Sequence, residues 1–225
     1  IGNTRYFTAS DYGTNGRELW KTDGTTNGTV MVKDINGGSE DGVTSDMIAV
    51  GTTLYFNADD GIHGHELWKS DGTNNGTVMI KNINRGNSSG SPHNFVVVNN
   101  TLYFAADDGS SGSELWKSDG TSNGTLMVKD LNNGSTSGSP HNFVVVNNTL
   151  YFAANDGIHG KELWKSDGTS NGSMMVYDLN RGASSSDPHR ITALGSRITF
   201  FALHETRGHE LFITNFEVIQ LITYS

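Results

Sequence analysis

Apolar and polar positions fall in short blocks along this chain, with none of the three-to-four-residue spacing that marks a helix. The stretch from 95 to 140 shows the plan most cleanly. Phe95-Val96-Val97-Val98 is apolar at every position, which suits a strand covered on both faces. Asn99-Asn100 then predicts a tight turn, because Asn tolerates positive φ. Leu102–Ala105, Glu114–Lys117 and Leu126–Lys129 predict three more strands, separated by the Gly-punctuated loops 107–112 and 119–124. The longest connection, Asn132 to Pro140, leads to the next unit.

That unit is a repeat. Glu-Leu-aromatic triplets begin at Glu18, Glu66, Glu114, Glu162 and Glu210, 48 residues apart. A fixed period in this range marks an array or a propeller, whose units bury their faces only against their neighbours. Four short antiparallel strands repeated radially describe a propeller blade. The expected fold is therefore all-β: a five-bladed β-propeller built from 48-residue, four-stranded repeats. It forms a single domain over 1–225, with blades at about 1–36, 46–84, 94–132, 142–180 and 190–225. The fifth blade has drifted most, since Phe212 replaces Trp and the Asp-Gly-Thr loop is missing. Its last strand is expected at Val218–Ile222.

The first blade lacks its innermost strand, and residues Ile1 to Thr4 are too few to supply it. The tail Glu217–Tyr224 should run antiparallel to the third strand of its own blade, so it reads as that blade's outer strand. An empty inner slot strands backbone donors and acceptors at roughly 1–3 kcal/mol each when buried. Either upstream sequence or a strand from another chain is expected to fill it. The first residue is Ile1, which reads as a processed mature chain or one whose beginning is missing; export is the expectation.

Composition narrows the partners. A formal net charge of −9 with no basic run argues against nucleic acid. No apolar stretch approaches the ~20 residues of a membrane-spanning helix. With no cysteine, disulfides do not staple the fold.

The run Glu-Leu-Trp-x-x-Asp-Gly-Thr-x-x-Gly-Thr-x-x-Val-Lys-Asp, matched throughout at Glu18–Asp34 and Glu114–Asp130 and with substitutions at Glu66–Asn82 and Glu162–Asp178, resembles the Glu-Leu-Trp/Asp-Gly-Thr repeat family of exported bacterial proteins. The copy at Glu210 departs after Leu211. The resemblance implies an extracellular or surface-associated repeat protein, often part of something larger, with no established catalytic activity. The five-fold count and the period are also similar to tachylectin-type lectins, as architecture only.

Candidate chemistry sits mostly in the repeated loops. Trp20, Trp68, Trp116 and Trp164 are read as packing between blades, with a sugar-stacking platform as the alternative. Glu18, Glu66, Glu114 and Glu162 share the face of the Trp two residues on, and each needs a donor if buried; Lys33, Lys81 and Lys129 are the candidates. The paired carboxylates Asp59/Asp60 and Asp107/Asp108 either form turns or, with free carbonyls, hold Ca²⁺. His93, His141 and His189 recur before the first strand, and His63 and His159 occupy the other loop. With Asp60, Asp108 and Asp156 they would line one face of the disc, suited to sugar hydroxyls or a metal. Equal repeats there favour several weak sites and avidity.

Glycosylation candidates are Asn27, Asn75, Asn87, Asn99, Asn123, Asn133, Asn147 and Asn171, most of them in turns. For catalysis the chain has no Cys nucleophile and no Ser elbow, and its His and carboxylates recur equally, whereas catalysis needs unequal roles. His204, Glu205 and His209 break the repeat, the two His giving a weak metal signal. The reading is not an enzyme but an exported structural or assembly subunit of an extracellular polymer, a homo-oligomer joined through strand exchange. The alternative is a multivalent, lectin-like adhesion module that binds glycans.

Overall fold

The computed structural model describes residues 1–11, 13–214 and 219–221. Among these residues every regular element is a strand, and the strands form five antiparallel sheets in chain order. The first sheet has three strands, β1 (Arg5–Ala9), β2 (Glu18–Thr22) and β3 (Val30–Lys33). The second has β4 (Val43–Val50), β5 (Thr53–Asp59), β6 (His65–Ser70) and β7 (Val78–Lys81). The third has β8 (His93–Val98), β9 (Thr101–Asp107), β10 (Ser113–Ser118) and β11 (Leu126–Lys129). The fourth has β12 (His141–Val146), β13 (Thr149–Asn155), β14 (Lys161–Ser166) and β15 (Met174–Tyr177). The fifth has β16 (His189–Leu194), β17 (Arg197–His204), β18 (Gly208–Thr214) and β19 (Ile219–Leu221). The expected last strand, Val218–Ile222, is thus described only over 219–221, and the rest of the tail Glu217–Tyr224 lies outside the described residues.

Within each sheet the order follows the chain, as hairpins dictate. The first strands of successive sheets lie side by side, β1 against β4, β4 against β8, β8 against β12 and β12 against β16. This arrangement is β-propeller-like and repeat-built. Asn99-Asn100 and Asn147-Asn148 all take positive φ, between 48° and 62°, so these hairpins turn where the Asn pairs stand. Inner strands begin two residues earlier than the apolar run, at His93, His141 and His189. Asn94, Asn142 and Arg190 take positive φ there and form a bulge, so His93 pairs with Ala105 and Val96 with Tyr103. These histidines are therefore strand residues and do not belong to the preceding loop. The physical reason is the bulge, which lets a polar residue interrupt a strand without ending it.

Packing between sheets uses the same residues each time. Leu67, Ile80, Ile83 and Tyr55 of the second sheet cluster with Leu102, Phe104, Ala106 and Trp116 of the third. Equivalent clusters join the first sheet to the second, the third to the fourth and the fourth to the fifth. Each interior sheet thus has one face of Tyr, Leu and Val or Ile, and an opposite face of Leu, Phe, Ala and Trp. Burial of these rings and aliphatic chains supplies the main cohesive term, at about 25 cal/mol per Å² of apolar surface.

Polar clamps fix how one sheet follows another. Glu18, Glu66, Glu114 and Glu162 are fully buried. Their partners are not the lysines expected from the sequence. Glu66 accepts the backbone N–H groups of Ile83 at 2.8 Å, Asn84 at 3.2 Å and Gly90 at 2.9 Å. Glu114 holds Leu131 and Gly138, and Glu162 holds Leu179 and both donors of Ser186. Each carboxylate therefore ties down both ends of the connection that crosses to the next sheet. The lysines reach further: Lys33 donates to the Thr77 carbonyl of the second sheet at 2.8 Å and lies over the Trp68 ring. A Cβ on Gly90 or Gly138 would run into the Glu66 or Glu114 carboxylate as it stands, so the carboxylate sits close against glycine at these two crossings.

Burial pushes Glu18, Glu66 and Glu114 up to about 7, with the N–H donors pulling the other way, and raises Glu162 as well. A carboxyl that holds its proton more firmly folded than unfolded stabilises the fold fully below its ordinary value of 4.5. That contribution is lost as pH climbs through about 7. Stability measured by denaturant unfolding should therefore fall between about pH 4.5 and pH 7 and flatten above. Glu66→Gln, which keeps an acceptor, should fold and show a shallower slope. Glu114→Ala should cost about 2–5 kcal/mol, since it leaves two buried N–H groups unpaired. A pH-independent wild type would contradict this account.

Candidate binding face

The pleat brings both repeated loops to one end of each sheet. In the third sheet His93 pairs with Ala105, and the 107–112 loop closes the hairpin whose first rung is Asp107 with Ser113. The second and fourth sheets place loops 59–64 and 155–160 likewise, since Asp59 pairs with His65 and Asn155 with Lys161.

Within these loops the carboxylates are committed to the turn. Asp60 accepts the N–H groups of Ile62 at 3.0 Å and His63 at 2.9 Å, and its second oxygen meets His63 Nδ1 at 2.8 Å. Asp156 repeats this with Ile158, His159 and His159 Nδ1 at 2.7 Å. Asp108 uses Ser110 and Ser111 in their place. Partial burial pushes these three carboxyls up, but the hydrogen bonds outweigh it and hold them below the usual carboxylate range. Asp59 and Asp107 each accept the N–H two residues on, at 2.8 and 2.7 Å. Among the described residues no three His, Asp or Glu side chains gather as a metal site.

His93, His141 and His189 point Nδ1 at the carbonyls of Ser91, Ser139 and Asp187, at 2.8 to 3.0 Å. Beside the Asp–His pairs stand Ile62 and Ile158, 66% and 67% exposed, an apolar spot within a polar rim that sequence reasoning passed over. Their signal was an isoleucine in the middle of an Asp-Gly-Ile-His-Gly turn. Trp68, Trp116 and Trp164 lie 5 to 6% exposed between sheets, out of reach of a stacked sugar; Trp20 is half-buried. All eight glycosylation candidates are exposed.

His204 and His209 do not converge. His209 pairs with Leu203, so the two histidines lie on opposite faces of the pleat. His204 stacks on Phe212, while His209 meets His189 edge to face at 5.8 Å.

No protein-family model matches this sequence, and no curated protein matches it. Solved structures do share its fold. A puromycin hydrolase matches with TM-score 0.62 and 14% identity over 97% of this chain. One structure from a study of two prolyl endopeptidases matches with TM-score 0.60 and 11% identity over 97%. The GH74 xyloglucanase from Xanthomonas campestris matches with TM-score 0.52 and 12% identity over 98%. The chain spans about a third of their length: 35%, 33% and 36% of those chains. At such identities the likeness concerns fold alone. It still corrects the reading of the chain as not an enzyme, because structures of this fold include enzymes. Some two thirds of each lies outside the match, so a survey of this chain for its own nucleophile does not speak for a whole protein.

The Asp156 partner raises the His159 imidazole above its ordinary value, chiefly through the side-chain hydrogen bond. Asp156→Asn should shift the His159 titration, followed by NMR, to lower pH. An unmoved His159 would show that the pair does not form.

Proposed function

We propose that the five sheets are the blades of a β-propeller that works as an exported assembly subunit of an extracellular or cell-surface polymer, joined by strand exchange between chains. The observation that carries this reading is the first sheet. β1 has β2 on one side and no described strand on the other, where every other sheet has an inner strand. The segment leading into β1 already turns as a hairpin does: the Ile1 amino group donates to the Thr4 carbonyl at 2.9 Å, and the Thr4 N–H donates to the Ile1 carbonyl at 3.1 Å. An edge of this kind is a template for a strand of matching direction. Near-identical repeats offer equal contacts to many neighbours, which suits a polymer.

A second reading has its own support. The repeated Asp–His pairs beside exposed Ile62 and Ile158 present an apolar spot within hydrogen-bonding groups, the character of a weak sugar site used many times. On this reading the chain is a lectin-like adhesion module that binds glycans.

Negative-stain electron microscopy with a solution mass separates the two. The assembly reading expects filaments or sheets and a mass well above 24.3 kDa. Single particles at that mass, together with binding on a glycan array, would replace it with the lectin reading.

A further inference from the structure

The joints between interior sheets follow one rule, and the first sheet keeps half of it. Lys21 of the first sheet donates to the Gly72 carbonyl of the second at 2.8 Å. Lys69 does the same to Gly120, and Lys117 to Gly168, at 2.8 and 2.9 Å. Beside each lysine a tyrosine covers the same glycine: a Cβ on Gly72, Gly120 or Gly168 would collide with the hydroxyl of Tyr6, Tyr55 or Tyr103. A second lysine, on the last strand of the preceding sheet, reaches the Thr77 or Thr125 carbonyl, while at the third joint Lys129 reaches the Ser170 carbonyl at 3.3 Å. The receiving face is thus defined by a Phe, a Trp, a glycine carbonyl and a threonine carbonyl.

The first sheet has all four and lacks their cover. Phe7 is half-buried where Phe56, Phe104 and Phe152 are 0% exposed. Trp20 is half-buried where its three counterparts are buried. Gly24 is exposed, and a Cβ there would meet nothing within 4 Å, while Gly72, Gly120 and Gly168 are buried. Thr29 is exposed, and Thr77 and Thr125 are 0% exposed. Asp71, Asp119 and Asp167 each feel the crossing lysine, and Asp23 feels none.

We propose that this face of the first sheet docks one more sheet of the same repeat, one carrying a Tyr–Lys pair on its second and third strands and a Lys on its fourth. The inference deepens the assembly reading and rests on the first sheet being a joint, but it concerns the sheet's face and not its edge. The interior joints say what covers such a face. They also exclude the last sheet of a second copy, because Thr199 and Ile213 stand there, paired, where the fourth sheet has Tyr151 and Lys165. Neither can place an ammonium on the Gly24 carbonyl.

The test extends the full chain ahead of Ile1 with a copy of residues 98–145, which puts Ile1 in register with Val146. Trp116 of the copy is changed to Phe, so that Trp20 reports alone on the joint. Acrylamide quenching should fall to the level of fully buried indoles. Changing Tyr103 to Phe and Lys117 to Ala within the copy should restore quenching. A folded extended chain whose Trp20 stays quenchable would overturn the proposal.

A second measurement needs no extension. In the 225-residue chain Trp20→Lys should lower the melting temperature several-fold less than Trp116→Lys, which lowers it by about 10 °C or more. Equal losses would mean the face is already covered, which also overturns it. A monomeric wild type in the microscope would defeat strand exchange and leave this face open to test. Polymers with an unprotected Trp20 in the extended chain would defeat the docking face and leave strand exchange standing.

Discussion

The buried glutamate of each repeat is the constraint on which the rest depends. A chain that builds five separate sheets must cross between them, and a crossing carries backbone N–H groups that no ladder satisfies. Glu18, Glu66, Glu114 and Glu162 receive those groups from inside the protein. One carboxylate thereby sets where a connection leaves its sheet and where it enters the next. The apolar clusters then pack in a register already chosen. At the fourth crossing Ser186 stands where glycine stands at Gly90 and Gly138, and its hydroxyl adds a third bond to Glu162 at 2.6 Å. The geometry is kept by a different route.

A second layer of contacts runs between sheets along the rim. Lysines cap carbonyls 44 to 51 residues away in the chain, and tyrosines shield the glycines that expose them. Both ends of the array depart from this layer in different ways. The first sheet presents the receiving half intact and uncovered. The last sheet has lost the donating half, with Thr199 and Ile213 in place of the Tyr–Lys pair. The two ends of the array therefore differ in which half of the joint they carry.

Much of the fold was legible because its signals are local and repeated five times. Strand blocks recur in every repeat at the 48-residue period, and Asn-Asn turns mark the hairpins of two of them. What was missed lies between repeats. Glu66 finds its donors 17 to 24 residues on, and Lys33 finds Thr77 across the joint, so identical repeats show that these residues matter without showing which neighbour they meet. The inner-strand bulges were hidden because Asn94 and Arg190 look like loop residues until their φ is known. At the candidate face the strand directions told which end of each sheet the two repeated segments share. The sequence did not show that Asp60 and Asp156 spend their oxygens on their own turns and histidines.

The direct measurement of the central claim is native-state hydrogen exchange at the amides of Ile35, Ile83, Leu131 and Leu179. Each lies just past the last strand of its sheet, in irregular backbone, and each donates to a buried glutamate. If the carboxylates hold the crossings, these amides exchange as slowly as the strand cores of β9 and β13, through global opening. Exchange at the rate of the exposed 133–136 loop would mean that the crossings open on their own, and that apolar packing alone orders the sheets.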